Sequence, residues 1–142
     1  MPKYTEYVAG FMFQNDKVAL VRKNRPSWQV GKLNGIGGHV EVGERPVEAM
    51  CREFEEETGL ETSSHDWKDF TELTGPDWTV YFFFAQGDLS QLRTTTDEEI
   101  VVIPVKEVTV DNAIPNLTWL IPMAKSMKYD KCRFFSIQEN YA

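Results

Sequence analysis

The sequence predicts an α/β fold in which a mixed β-sheet is sandwiched between α-helices. Segments rich in aromatic and β-branched residues alternate with two segments of helical periodicity, and turn residues separate them. Because strands and helices interleave along the chain, they are expected to pack as layers around a shared core. At 142 residues, the chain is predicted to form a single domain, residues 1–142.

The extended segments are bounded by clear turn signals. Asn15-Asp16 separates the first two and predicts a hairpin, and Thr74-Gly75-Pro76-Asp77 separates a later pair. Pro26 and Gly31 mark residues 24–33 as a loop. The predicted extended segments are residues 4–13, 17–22, 34–42, 60–62, 67–73, 78–86, 100–105 and 132–137.

Two helices are predicted. Pro46 suits the first turn of the first helix, because its fixed φ is helical and its missing N–H would be unpaired there. Gly59 suits the left-handed position that ends it. Its core stripe consists of Val47, Met50, Cys51 and Phe54. The second helix is predicted at residues 117–127, and Asn116 before it is interpreted as its N-cap.

The first helix carries an unusual cluster of carboxylates. Glu53, Glu56 and Glu57 are spaced i, i+3, i+4, which places them on one face beside the core stripe. Like charges at this spacing repel each other by roughly 0.2–0.5 kcal/mol per pair. A divalent cation would remove that penalty, and Mg²⁺ prefers carboxylate oxygens. For the run Glu55–Glu57 alone a solvated acidic face is the ordinary interpretation, and the longer motif around it favours a metal site.

This cluster belongs to a longer motif, G-H-V-E-V-G-E-R-P-V-E-A-M-C-R-E-F-E-E-E-T-G-L, from Gly38 to Leu60. The segment resembles the signature of the Nudix hydrolase superfamily, G-x5-E-x7-R-E-U-x-E-E-x-G-U, where U is a bulky aliphatic residue. Only Phe54, an aromatic at an aliphatic position, departs from it. The resemblance implies the Nudix fold and Mg²⁺- or Mn²⁺-dependent hydrolysis of a nucleoside diphosphate linked to another group.

The same resemblance implies the metal site. Its ligands would be Glu53, Glu56, Glu57 and the backbone carbonyl of Gly37, while Glu44 and Arg52 would support the loop and helix around them. One further acid is expected from Asp97-Glu98-Glu99, with Glu99 preferred and Glu98 the alternative. The general base stays open among Glu53, Glu56 and Glu99.

Substrate contacts are implied by a second stretch. Trp28 to Gly38 resembles the corresponding region of MutT-like enzymes that hydrolyse oxidised purine nucleoside triphosphates, in which the asparagine equivalent to Asn34 contacts the base. Asn116 and Leu117 stand where those enzymes carry two base-reading aspartates, which argues against the same mode of base recognition. Arg22 or Lys23 is expected to contact phosphate. The implied substrate-binding residues are Arg22, Lys23, Asn34, Gly37, Gly38 and Asn116.

Charge and composition limit the kinds of partner that the protein is expected to bind. A net charge of −7 disfavours nucleic-acid polymers and anionic membranes, yet leaves small phosphorylated substrates possible. Two cysteines and the absence of a signal-like leader predict a cytoplasmic protein, either a monomer or a homodimer. A nucleoside triphosphate is the expected substrate, with ADP-ribose or a dinucleoside polyphosphate as alternatives. The alternative from a different functional class is a Nudix domain that binds nucleotides without hydrolysing them.

Overall fold

The computed structural model describes residues 3–127 and 135–139. Within them the chain forms eight strands and two α-helices. The strands are β1 (Thr5–Gln14), β2 (Lys17–Arg22), β3 (Leu33–Asn34), β4 (Ile36–His39), β5 (Lys68–Thr74), β6 (Trp78–Gln86), β7 (Ile100–Pro104) and β8 (Phe135–Gln138). The helices are α1 (Pro46–Thr58) and α2 (Leu117–Ser126).

All eight strands join one mixed sheet. Its main path runs β3-β2-β1-β6-β5-β8, while β4 pairs with β1 and β7 pairs with β2. The pairs β1–β6 and β5–β8 are parallel, and the other pairs are antiparallel. The pairing of β1 with β4 brings the glycine-rich segment to the centre of the molecule, directly beside α1.

The two helices lie on opposite faces of the sheet. Side chains alternate along β1, so that Phe11 and Phe13 pack into the core cluster that contains α2, while Val8 and Met12 pack into the cluster that contains α1. The predicted α/β sandwich with a mixed sheet is therefore confirmed. Each core is apolar, and the one that contains α1 also includes Ile36 of β4, so it packs the helix against that strand.

Helix α1 begins and ends where the sequence predicts. Pro46 occupies its first turn, and Gly59 closes it with a left-handed φ of 78°. Glu48 accepts a hydrogen bond from the backbone N–H of Arg45 at 2.8 Å, which satisfies one donor of the first turn.

Two predictions of secondary structure need correction, and part of a third lies outside the described residues. Residues 60–62 form no strand, because the N–H of Leu60 donates to Thr58 Oγ1 and the chain continues into a short 3-10 turn at Ser64–Asp66. The residues predicted as one extended piece, 34–42, are divided into β3 and β4. The last strand is β8, and residues 132–134 of its predicted range lie outside the described residues.

None of the described helices is both long enough and apolar enough to cross a membrane.

Candidate active site

The three glutamates of α1 occupy three different environments. Glu57 is buried, with 9% of its surface exposed. The Glu53 side chain is largely covered, whereas the Glu56 side chain is 57% exposed. Because successive helical residues turn by about 100°, the row of carboxylates extends from the edge of the core out to solvent. The helix thus presents the same chemical group at three depths.

Two glycines of the β4 segment allow the backbone to approach these carboxylates. A Cβ at Gly37 would lie 1.8 Å from the carbonyl oxygen of Val8 in the neighbouring strand. A Cβ at Gly38 would lie 2.5 Å from the carboxyl carbon of Glu53. Any other residue would therefore push β4 away from β1 or from α1. The backbone of Gly37 lies close enough to the carboxylate of Glu57 to lower the pKa of that group.

Arg52 fastens the loop before α1 to the helix. Its Nε and Nη2 donate to the two carboxylate oxygens of Glu44 at 2.8 and 3.0 Å, and Nη2 also donates to the carbonyl oxygen of His39 at 2.9 Å. The hydrogen bond to Arg52 lowers the pKa of Glu44, and the pairing with Glu44 raises the pKa of Arg52. Such a bidentate pair fixes orientation as well as charge.

Arg52 also contacts the carboxylates of its own helix. Its Nη1 lies 3.0 Å from Glu53 Oε1 and 3.4 Å from Glu56 Oε1. Arg52 and Glu56 are four residues apart on the helix, and their contact is the longer of the two.

Glu98 brings a further carboxylate to the buried end of this row. It is 5% exposed, its Oε1 accepts from Lys23 Nζ at 3.0 Å, and its Oε2 accepts from the backbone N–H of Asn24 at 2.6 Å. Burial raises the pKa of Glu98, but the bonds from Asn24 and Lys23 outweigh burial and lower it overall. Glu98 and Lys23 both lie close enough to Glu57 to perturb its ionisation.

Glu99, the acid preferred from the sequence, lies differently. Its side chain is 64% exposed and pairs with Arg22 Nε at 3.3 Å. Because neighbouring side chains at the start of a strand point to opposite sides, only one of the two acids faces the buried carboxylates. Burial and electrostatic contact with Glu57 favour Glu98 over Glu99.

The basic segment at the end of β2 is already paired. Arg22 contacts Glu99, Lys23 contacts Glu98, and Arg25 contacts Asp97. The basic segment therefore lies along an acidic one, and a phosphate contact by Arg22 or Lys23 stays a prediction. Lys23, with a side chain only 21% exposed, is the cation at the carboxylate cluster.

The electrostatics of the cluster favour a bound cation. Burial raises the pKa of Glu57 to about 8, with Glu53 and Glu98 adding to the rise and Lys23 opposing it. Burial also raises the pKa of Glu53, against the opposing effect of Arg52. Glu57 Oε2 is buried and has no hydrogen-bond partner. A hard divalent cation would satisfy that oxygen and offset the repulsion between the acids.

The donor chemistry of this cluster fits Mg²⁺ or Mn²⁺. Within residues 3–127 and 135–139, no three His, Cys, Asp or Glu side chains stand close enough together to hold a metal ion as they are placed. Arg52 accounts for part of this, because it engages the carboxylates of Glu53 and Glu56. Two features therefore support binding of Mg²⁺ or Mn²⁺: the donors are oxygen atoms, and one oxygen of Glu57 has no partner.

Asn34 and Asn116, the two asparagines expected near the nucleobase of the substrate, lie near one edge of the sheet. Asn34 is in β3, and the chain just before α2 joins the same strand through the Leu33–Ala113 bridge. The amide of Asn34 is held by Gln29 Oε1 and by the N–H of Gly35. The structure therefore brings the segments of Asn34 and Asn116 together.

Asn116 does not act as an N-cap. Its backbone is itself helical, and its side chain makes no capping hydrogen bond. The interpretation as a cap is therefore wrong. Its Oδ1 is buried without a partner, so an acceptor is left for another group.

Two kinds of group at the site were not predicted from the sequence. The backbone N–H of Asn24 holds Glu98, and main-chain donors leave no signal in side-chain patterns. Three consecutive threonines, Thr94-Thr95-Thr96, precede the acidic segment, and their hydroxyls bond the backbone around it. A run of hydroxyl residues next to an acid could have suggested this role.

Residues 3–128 match the family described as NUDIX domain. The chain therefore belongs to the Nudix family. Solved structures of the same fold include a NUDIX hydrolase from Nitrosomonas europaea, with a TM-score of 0.78 at 16% identity, covering 98% of this chain and 81% of that one. The MutT protein of Bacillus halodurans gives a TM-score of 0.68 at 17% identity, covering 96% and 90% of the two chains.

Two curated proteins are similar in sequence. The human 8-oxo-dGDP phosphatase NUDT18 is 31% identical over 96 residues, which is 65% of this chain and 28% of that protein. The 8-oxo-dGTP diphosphatase of Escherichia coli K12 is 28% identical over 71 residues, which is 50% of this chain and 55% of that protein. The similarity thus spans about a quarter and about half of the lengths of these relatives.

Proposed function

We propose that this Nudix domain is a divalent-metal-dependent pyrophosphohydrolase that converts a nucleoside triphosphate into a nucleoside monophosphate and pyrophosphate. The observation that carries the proposal is the buried Glu57 carboxylate, with one unpartnered oxygen, beside Glu53 and Glu98. A buried carboxylate with a raised pKa and a free oxygen beside other acids is suited to a cation that accompanies a phosphate substrate.

In this proposal the acids of the cluster and one backbone carbonyl share the binding of the metal ion. Glu53, Glu56, Glu57, Glu98 and the carbonyl of Gly37 would hold Mg²⁺ or Mn²⁺. A metal ion there would neutralise phosphate charge and lower the pKa of a bound water. Water attacks one of the two phosphorus atoms of the α–β anhydride and gives its proton to a general base. The bond from that phosphorus to the bridging oxygen breaks, and the other half leaves, so the products are the nucleoside monophosphate and pyrophosphate.

The general base in this proposal is one of two glutamates of α1. Glu53 and Glu56 are the candidates, because Glu53 has a raised pKa and Glu56 reaches solvent. Glu99 is a weaker candidate, since it lies outside the buried cluster and pairs with Arg22. Arg52 and Glu44 would position the row rather than react.

The substrate class follows from the base-side residues and the relatives. Both curated relatives are named for 8-oxo-deoxyguanosine nucleotides, one a diphosphate and one a triphosphate. The buried acceptor of Asn116 and the amide of Asn34 would read the donor edge of a purine. We therefore place an oxidised purine such as 8-oxo-dGTP first among candidate triphosphates.

The alternative substrates receive less support. Pro76, which resembles a landmark of ADP-ribose hydrolases, lies in the connection between β5 and β6, where a tight turn explains a proline. A dinucleoside polyphosphate has no feature that favours it among the described residues. The intact glutamate row argues against a domain that only binds.

The test is product analysis by ion-exchange chromatography with Mg²⁺ and, separately, with EDTA. The panel contains dNTPs, NTPs, 8-oxo-dGTP, 8-oxo-dGDP, ADP-ribose and diadenosine polyphosphates. Glu56→Gln removes a row carboxylate, and Glu55→Gln, an exposed neighbour on the same helix, is the matched control.

Metal-dependent release of monophosphate and pyrophosphate, lost in Glu56→Gln and kept in Glu55→Gln, supports the proposal. Monophosphate and inorganic phosphate from 8-oxo-dGDP alone would move the substrate to the diphosphate. Cleavage of ADP-ribose or a dinucleotide without triphosphate turnover would replace the proposal with the alternative. Tight binding of a panel member without any turnover would make the domain a binding module.

A further inference from the structure

The C-terminal end of α1 is completed by a segment from elsewhere in the chain. The last carbonyls of a helix lack intrahelical partners. The N–H of Leu60, which would have reached the carbonyl oxygen of Glu56, donates instead to Thr58 Oγ1. The carbonyl oxygen of Glu56 accepts from the hydroxyl of Thr95, and that of Thr58 accepts from the N–H of Arg93 at 3.1 Å.

This segment leads directly into the acid that joins the carboxylate row. Thr96 Oγ1 accepts from the N–H of Glu98 at 3.2 Å, and Thr94 Oγ1 accepts from the N–H of Ile100 at 2.9 Å. Of the three hydroxyls, only that of Thr95 reaches across to α1. The other two shape the turn on which Glu98 is carried.

The far side of the same turn is anchored to β2. The carboxylate of Glu98 is held by Lys23 Nζ and by the N–H of Asn24. The turn is thus braced between the end of β2 and the end of α1. Its position relative to the helix depends on few contacts, because the threonines are exposed and bury little surface.

We propose that Thr95 is a positioning residue of the metal site, whose hydroxyl sets the place of Glu98 relative to the carboxylates of α1. The inference rests on the metal site of the proposed function, which it deepens. Thr95 touches neither a metal-binding carboxylate nor substrate. It acts through the carbonyl of Glu56 on one side and through the turn that carries Glu98 on the other.

The geometry explains why one hydroxyl matters. A cation shared between acids on two chain segments requires those segments to keep a fixed separation. Without the hydroxyl, a helix-end carbonyl loses its donor, and the turn keeps the hydrogen bond of Arg93 to the helix end and the packing of Leu92 and Ile100 against the α1 core. Glu98 then samples positions farther from Glu57, and the cation loses one of its ligands for part of the time.

The experiment measures Mn²⁺ binding directly, by electron paramagnetic resonance of free Mn²⁺ in the absence of nucleotide. Thr95→Val removes the hydroxyl at constant shape, Thr95→Ser restores it, and Thr109→Val is the control. Thr109 is also exposed and bonds a loop N–H, but lies away from α1. We expect Thr95→Val to weaken binding about tenfold, as for partners that orient ligands, with serine and the control near the wild type. Thr95→Ala repeats the test if the valine variant does not fold.

A double-mutant cycle with Glu98→Gln separates positioning from general destabilisation. If Thr95 acts through Glu98, its valine substitution changes Mn²⁺ affinity much less in the Glu98→Gln background. Equal losses in both backgrounds, or unchanged affinity in Thr95→Val, would overturn the inference. Failure of the wild type to bind Mn²⁺ at all would instead count against the proposed function, so the two failures are distinguishable.

Discussion

Glu57 makes the stability of the metal-free protein depend on pH in an unusual direction. Its carboxyl is 9% exposed, one of its oxygens has no partner, and burial raises its pKa to about 8. In the unfolded chain the same group has its ordinary pKa of 4.5. Between these values the folded protein holds a proton that the unfolded chain has released. Stability must therefore fall as pH rises through this interval.

The size of the effect follows from the difference between the two pKa values. Each pKa unit corresponds to about 1.4 kcal/mol, so a rise from 4.5 to about 8 amounts to roughly 3–5 kcal/mol of lost stability above pH 8. The raised pKa of Glu53 acts in the same direction. The lowered pKa of Glu98 acts oppositely, but its contribution is lost only as pH falls through its own low pKa.

The assay is urea denaturation in EDTA from pH 5 to 9, followed by circular dichroism. Glu57→Gln keeps the shape of the side chain and removes its titration. The free energy of unfolding of this variant should therefore change little over the pH range where that of the wild type falls. At pH 8 the variant should be more stable than the wild type. Glu55→Gln, exposed on the same helix, should parallel the wild type. Mg²⁺ should restore the wild type at pH 8 but help Glu57→Gln less. Parallel curves for the wild type and Glu57→Gln would refute this reasoning.

Two further variants test the surroundings of the cluster. Glu44→Gln weakens the bidentate pair with Arg52 and should lower the free energy of unfolding in urea by about 1–3 kcal/mol, whereas Glu41→Gln, whose contact with Arg52 is 3.9 Å long and exposed, should have almost no effect. Equal effects of the two would contradict the assigned role of Glu44. Lys23→Gln removes a cation beside Glu98 and should tighten Mn²⁺ binding a few-fold without nucleotide, while raising the KM for substrate. Unchanged or weaker Mn²⁺ binding would show that Lys23 supports the cluster rather than competing with the metal.

Local pattern was sufficient for much of this molecule. Runs of aromatic and β-branched residues bounded by turn signals predicted most strands, and helical periodicity with its boundary residues predicted the helices. Pro46 and Gly59 bounded α1 correctly, since each residue has a conformational preference of its own. Residues 60–62 were predicted wrongly, because the N–H of Leu60 donates to the nearby hydroxyl of Thr58 at the helix end, a side-chain contact that the strand pattern did not anticipate.

The candidate site was predicted unevenly for the same reason. Glu53, Glu56 and Glu57 could be found because their spacing is fixed within a single helix. The choice between Glu98 and Glu99 could not, since it depends on which side chain a turn directs toward Glu57.

The sequence by itself determined the order of elements, the row of carboxylates and the close approach allowed by Gly37 and Gly38, all of which are local properties of the chain. Only the tertiary structure decided which acids are buried, which cations lie beside them and which oxygen lacks a partner. These properties depend on burial and on long-range pairing, such as that of Lys23 with Glu98, 75 residues apart. Ionisation in proteins responds to the whole surroundings of a group, so the chemistry of the site emerges only when distant segments meet.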